Sequence, residues 1–332
     1  ASLSECRHVG ITAGASTPNW IIRQVFQDID TRLSRRNGKL RQLAQSMLRN
    51  LMLSNLYLAL CAASLSFVAA WLQGVPVSPA YMAIAALYIL SMHTLHHMLD
   101  RLSDRYNDPE RARFYKENRY ALGVVAAFSA LGGLFLAWFL GPLLFILLVC
   151  MSLLGVVYNM EIESRGAAGK KASLLKQIPG SKTILVSLAW GMVTALIPAM
   201  HANGFFAPAA VAAFIWISAL IFVRTAYFDI IDMQGSRIVG RETIPILLGE
   251  QRTLRLLKTV LAVNILLLPA AAAAGMMPAA ASFLSICPAA MLAFLYAHER
   301  RGRFLGMIQG FIMESHFVAA GLLAVCCRLA GF

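Results

Sequence analysis

Charge is what this chain has least of. Only 14% of its 332 residues are Asp, Glu, Lys or Arg, against 59% hydrophobic residues, and just 16 are acidic. No soluble domain of this length needs so much apolar surface, which excludes a soluble fold. Short segments of alternating polarity, the mark of a transmembrane barrel, are also missing. Cys6, Cys61, Cys150, Cys287, Cys326 and Cys327 make no CxxC spacing and sit mostly in apolar runs, so they read as small hydrophobes and not as zinc ligands or a disulfide set. The place of Cys326-Cys327 in the last apolar run argues against a palmitoylation site. The first fifteen residues lack the apolar core of a cleavable secretory signal. The DGxxAR run of CDP-alcohol phosphotransferases does not occur.

What is present is a series of long apolar runs, at roughly 50–73, 79–99, 119–140, 142–160, 182–201, 206–223, 254–275, 278–297 and 307–330. Each is near the roughly 20 residues that cross the hydrocarbon, so the expectation is an all-α integral membrane protein with nine transmembrane helices. Residues 1–49 read as a separate basic, partly amphipathic segment that lies at the membrane surface. Trp20, Ile21, Ile22, Val25, Phe26 and Ile29 form its apolar stripe, and Asn37-Gly38 interrupts it. Residues 50–332 form the transmembrane domain.

The loop charges alternate. Arg101, Arg105, Arg111, Arg113 and Lys116 follow the second run; Arg165, Lys170, Lys171 and Lys176 the fourth; Arg224, Arg237, Arg241, Arg252 and Arg255 the sixth; Arg300, Arg301 and Arg303 the eighth. The loops between carry no Lys or Arg. The positive-inside rule places the N-terminus and these loops in the cytoplasm, at an inner or cytoplasmic membrane, and nine crossings put the C-terminus outside. The net charge of +13 follows from this bias and from contact with anionic head groups or phosphates, and is no evidence for nucleic acid. Runs one to four and five to eight each carry an acidic cluster after the second helix and a basic loop after the fourth, which suggests two four-helix halves plus one helix, with a site between them.

Those acidic clusters carry the chemistry. Asp100 and Asp104 are four residues apart, Asp229 and Asp232 three, so on a helix each pair shares a face. Carboxylate pairs with phosphate oxygens are Mg²⁺ ligands, and two facing pairs at a membrane surface suit a lipid diphosphate. Nearby cations, Arg111 and Arg237 foremost, are candidates for its remaining charge. Asp100 and Asp104 paired simply with neighbouring arginines is the bland alternative, and the second cluster in the equivalent place weighs against it.

The stretch from Tyr227 to Gly249, YFDIIDMQGSRIVGRETIPILLG, resembles the second signature of the UbiA superfamily of intramembrane prenyltransferases, roughly DxxDxxGDxxxGxxTLPxxxG. The segment from His96 to Asp104 is similar to that family's NDxxDxxxD, with Asp100 and Asp104 at its last two acids. Tyr158, the run from Lys176 to Lys182, and Trp190-Gly191 match its loop after the fourth helix. The resemblance covers about residues 50–330. It implies nine helices around a central cavity open laterally to lipid, a polyprenyl diphosphate bound through Mg²⁺, ionisation of the allylic C–O bond, and capture of the cation by an aromatic, quinone-precursor or lipid acceptor. It also adds Lys176, Lys182 and Tyr158 to the substrate-binding candidates. Three departures stand out: His96 and His97 replace the family's Asn and Asp, Ser236 replaces the last acid of the second signature, and the basic-Pro stretch after the first motif reads DPERARF. These departures leave open a non-catalytic lipid-binding or assembly subunit, or transfer of another activated group such as phosphoribosyl to a polyprenyl phosphate.

Other polar residues in apolar runs stay open between roles. Asn55 reads equally as a cavity group or as a helix–helix hydrogen bond. Glu314 and His316 are intramembrane ionisable groups; two residues apart, they point to different faces and pairing with neighbouring helices serves equally well. Phe114, Tyr115, Tyr227 and Phe228 are candidates to shield a carbocation.

Overall fold

The computed structural model describes residues 39–164, 180–202, 207–301 and 307–331, with isolated positions between 10 and 29. Most of the basic N-terminal segment, and Lys176 with its loop, lie outside the described residues. Every regular element among those described is helical. In chain order they are α1 (Lys39–Leu53), α2 (Leu56–Leu72), α3 (Pro79–Leu99), α4 (Arg101–Asn107), α5 (Pro109–Glu117), α6 (Arg119–Leu140), α7 (Pro142–Ser164), α8 (Ser181–Ala202), α9 (Pro208–Ile231), α10 (Met233–Ile238), α11 (Ile244–Leu248), α12 (Glu250–Ala273), α13 (Ile286–Arg301) and α14 (Met307–Leu329).

Seven helices, counting α13 with the 3₁₀ turn before it, are long and apolar enough to cross a bilayer. The pair α1–α2 makes an eighth if counted as one span, bent by 70°, and Pro142–Tyr158 is a shorter apolar helix. The chain is therefore an integral, multi-pass membrane protein. Its outward faces agree: on α6, Phe128, Leu131, Phe135, Trp138 and Phe139 are all exposed, a belt that water would penalise and lipid accepts.

Two of the boundaries that differ from expectation matter for the site. The first crossing starts at Leu56, not at residue 50. The chain turns at Asn55, the one described non-glycine residue with positive φ (61°), and α1 runs off at 70°. Asn tolerates the left-handed conformation better than most residues, so the bend needs neither Gly nor Pro. The sixth crossing runs on to Ile231. Arg224, expected in a loop, is instead mid-helix.

The two acidic segments are brought together by packing. α2 lies against α3 and α14, and α9 against α8 and α12. The short helices α4 and α10 touch each other, and Gly235 makes this possible: a Cβ there would sit 1.8 Å from Asn107 Oδ1. Gly180 plays the same part where α8 begins. Its φ is 75°, its N–H donates to Glu242 O at 3.2 Å, and a Cβ would stand 2.5 Å from Ile244 Cγ1.

Candidate functional site

A cavity of ≈ 380 Å³ opens among α2, α3, α7, α8, α9 and α14. Its polar end holds Asp104, Asp108, Arg111, Lys182, Asp229 and Asp232; its other walls include Leu58, Ile89, Met151, Leu154, Val186 and Trp190. The acids and cations suit a charged group, and the apolar stretches of wall suit an apolar chain.

On the first side, α3 ends at Asp100 (φ −91°, ψ 46°), and α4 carries Asp104 one turn on. Asp100 faces Arg241, whose Nη2 donates to Oδ1, with His96 Nε2 at 3.5 Å from Oδ2. Burial pushes the Asp100 carboxyl up, but Arg241 and His96 outweigh it and hold the group below the usual carboxylate range. Asp104 is the opposite case. Burial and the charge of Asp100 push it up to about 7.

His97, the departure from the acidic motif, is the centre of a hydrogen-bond chain. Arg111 Nη1 donates to His97 Nε2 at 3.0 Å, so the ring must present its proton on Nδ1, which donates to Asp104 Oδ2 at 2.9 Å. The same Nη1 donates to Asn55 Oδ1 at 3.1 Å, and Asn55 Nδ2 donates to Tyr115 Oη at 2.8 Å. Arg111 is set by its own helix start: Asp108 caps α5, accepting from Arg111 N at 3.1 Å, with Pro109 in the first turn. Asn55 thus lines the cavity and is hydrogen-bonded to Arg111 and Tyr115.

On the second side, Asp229 is buried and accepts from Thr183 Oγ1 at 2.7 Å. Asp232 sits where α9 gives way to α10. Lys182 and Arg241 interact electrostatically with both Asp100 and Asp229, so the two acidic segments share one field.

Of the residues read from sequence, Asn55, Asp104, Arg111, Tyr158, Lys182, Asp229 and Asp232 line the cavity. Asp100 does not; it is turned toward Arg241. Arg237 lies exposed, its guanidinium 4.0 Å from Met233 Sδ, outside the cavity wall, because α10 turns that position to the surface. Among the described residues no group of three or more His, Cys, Asp or Glu is arranged to hold a metal ion. The donor set still fits Mg²⁺, which takes one or two carboxylates and fills its octahedron with phosphate oxygens and water. Sequence reading missed Arg224 and Glu314 as a pair: Arg224 Nη2 donates to Glu314 Oε1 at 2.5 Å on the cavity wall.

An apolar multi-pass bundle with acids and cations gathered at one end of an internal cavity defines a membrane protein that handles an amphiphile with an anionic head. Residues 56–304 match the UbiA prenyltransferase family, three quarters of the chain, and the chain belongs to that family: it is a membrane prenyltransferase. Digeranylgeranylglyceryl phosphate synthase of Halobacterium salinarum is 28% identical over 204 residues, 59% of this chain and 67% of that protein. A UbiA homologue from Aeropyrum pernix K1 superposes with a TM-score of 0.61 at 13% identity, covering 82% of this chain and 97% of the other. A UbiA homologue from Archaeoglobus fulgidus, described as bound to DMAPP and Mg²⁺, superposes at 0.55 with 17% identity, covering 83% and 98%.

Proposed function

We propose that the chain transfers a prenyl group from an isoprenoid diphosphate to an acceptor held in the membrane, with Mg²⁺ at the diphosphate. The observation that carries this is the make-up of one cavity: Asp104, Asp229 and Asp232 line it with Arg111 and Lys182, and apolar side chains such as Leu58, Ile89, Met151 and Leu154 form much of its remaining wall. Asp229 and Asp232, three residues apart at the end of α9, would hold the metal together with Asp104. Bound there, Mg²⁺ supplies neutralisation of the diphosphate as a leaving group.

The chain's own residues do the rest. Arg111 and Lys182 take diphosphate charge that the metal leaves, and Tyr158, which lines the same cavity, adds a hydroxyl. His97 and Asn55 fix the Arg111 guanidinium, so its charge is placed before substrate arrives. Asp100, locked by Arg241, holds the second acidic segment against the first. Leu58, Ile89, Met151 and Leu154 receive the isoprenoid chain and exclude water. The rings of Trp190 and Phe228 line the same cavity and would stabilise an allylic cation. The acceptor is an aromatic, quinone-precursor or lipid molecule entering from the bilayer. Support comes from the family match and from relatives named for a prenyl diphosphate with Mg²⁺ and for a glycerol phosphate product. The seven long helices, the bent pair and α7 are read as nine crossings, with the acidic end cytoplasmic.

One observation favours a second, non-catalytic lipid-binding reading: His97 and Arg241 already engage Asp104 and Asp100. The two separate in a binding experiment on the purified protein in lipid, using farnesyl thiolodiphosphate. Prenyl transfer requires binding that Mg²⁺ strengthens and EDTA abolishes. Affinity unchanged by EDTA overturns the metal-held site.

A further inference from the structure

One buried charged pair on the cavity wall has no part in holding the donor. Arg224 and Glu314 come from different helices, α9 and α14, and their side chains are only 12% and 7% exposed. Such a pair is costly to bury and is poor evidence of stabilisation in itself. Both residues line the cavity, as does Thr225. Arg224 Nε and Thr225 Oγ1 are buried without a hydrogen-bond partner. Glu314 Oε1 accepts from Arg224, and no described residue takes Oε2. Buried polar groups are rarely left unpaired in folded proteins, and two neighbouring ones on residues that line a cavity point to a ligand that satisfies them.

Their position fixes what that ligand is. Arg224 precedes Asp229 by five residues on α9, so it lies roughly 7.5 Å further from the membrane surface along the helix axis. A diphosphate held at Asp229 and Asp232 puts its allylic carbon one bond beyond the leaving oxygen, between the acids and this pair. Phe228 lines the cavity beside the pair, its ring centroid 4.8 Å from the Arg224 guanidinium. A nucleophile resting on Glu314 and Thr225 is therefore on the side of that carbon away from the diphosphate. A carboxylate oxygen to accept and a threonine hydroxyl able to donate match an alcohol, which needs one of each.

We propose that Glu314, held by Arg224 and assisted by Thr225, binds the hydroxyl of an alcohol acceptor and removes its proton as the ether bond forms. The proposal rests on the prenyl-transfer reading and extends it to the acceptor. The allylic C–O bond to diphosphate breaks, and its electron pair leaves with the diphosphate. The alcohol oxygen forms a new bond to that carbon, and its proton passes to the Glu314 carboxylate. An alcohol is far too weak an acid for a carboxylate to deprotonate beforehand. As its oxygen bonds to the electron-poor carbon the proton becomes strongly acidic, and a carboxylate then suffices. Arg224, donating to Oε1, holds the Glu314 carboxylate in place.

The test uses the purified chain in lipid, geranylgeranyl diphosphate as donor and 1-O-octadecylglycerol as the alcohol probe. Glu314→Gln still accepts from Arg224 but cannot take the proton. We expect transfer to the alcohol to fall by about 10²-fold in kcat, with affinity for farnesyl thiolodiphosphate and Mg²⁺ unchanged and Glu314→Asp recovering part of the rate. Thr225→Val, which keeps the side chain's size, raises KM for the alcohol about fivefold and leaves the donor untouched. The proposal is overturned if Glu314→Gln transfers at the wild-type rate, if it loses donor binding and transfer together, or if the wild type binds donor and prenylates no alcohol. A wild type that binds no prenyl diphosphate at all overturns the prenyl-transfer reading as well, and so is told apart from failure of the acceptor site alone.

Discussion

Arg241 reaches across the molecule to Asp100, 141 positions earlier, its Nη2 donating to Oδ1. Asp100 is 4% exposed. One ion pair thus ties the segment after α9 to the end of α3, and with it the two acidic clusters.

Replacing Arg241 by Met leaves Asp100 buried without its cation. Breaking a buried pair from one side costs about 3 kcal/mol, which thermal unfolding in detergent reads as a lowered Tm. The cost depends on pH. Asp100 is held below its ordinary value of 3.8, so its contribution is present above that value and is lost as pH falls through the lower folded value. The gap between wild type and variant is therefore widest near neutrality and narrows below pH 3.8. A gap that stays constant with pH contradicts the assignment.

Gly235→Ala tests the contact between α4 and α10. The added Cβ would meet Asn107 Oδ1 at 1.8 Å, so the helices must separate. We expect a loss of about 1–3 kcal/mol and weaker diphosphate binding. Adding Asn107→Ala to it frees the space and returns part of the loss. No recovery in the double variant argues that the glycine serves something other than this contact.

Much of the fold was legible because apolar length is a strong signal: helices α3, α6 and α12 lie close to their expected spans. What stayed hidden has local causes. The single charge Arg224 broke the apolar run after Val223 and suggested a loop, whereas an ion pair with Glu314 lets the helix continue to Ile231. The bend at Asn55 has neither Gly nor Pro to announce it. Spacing singled out the pairs Asp100–Asp104 and Asp229–Asp232, of which Asp100 turns to Arg241 and the other three line the cavity; it gave no sign that His97 would stand between Asp104 and Arg111, a relation made across three helices. Arg237 looked like a phosphate ligand because it adjoins the motif; the register of α10 turns it outward.

Arg237→Ala should accordingly change little. An exposed charge outside the cavity contributes under about 1 kcal/mol, and donor affinity should stay within about threefold of wild type. Arg111→Ala is the contrast, because Arg111 lines the cavity and is fixed by His97 and Asn55. It should weaken donor binding by about tenfold or more, as expected for loss of a charge-assisted contact. Equal effects from the two variants, measured by titration with farnesyl thiolodiphosphate, would contradict the geometry.

Ser236→Asp restores the family's usual acid at a site that is buried and one helical turn from Asp232. Without metal the new carboxylate faces a like charge in a poorly solvated place, and Tm should fall. With millimolar Mg²⁺ the loss should be recovered, because a divalent ion reverses the sign of the local field. A Tm that is indifferent to Mg²⁺ in this variant would place the metal elsewhere.

The most direct measurement is turnover by the purified chain in lipid: release of diphosphate and appearance of prenylated product from geranylgeranyl diphosphate with alcohol and aromatic acceptors, for wild type and Asp232→Ala, with and without EDTA. Product should form from the wild type only while Mg²⁺ is present. A loss of about 10²–10³-fold is expected in Asp232→Ala, since one carboxylate of the charge-stabilising set is gone, with the fold retained. Undiminished turnover in Asp232→Ala or in EDTA would contradict the metal-held site.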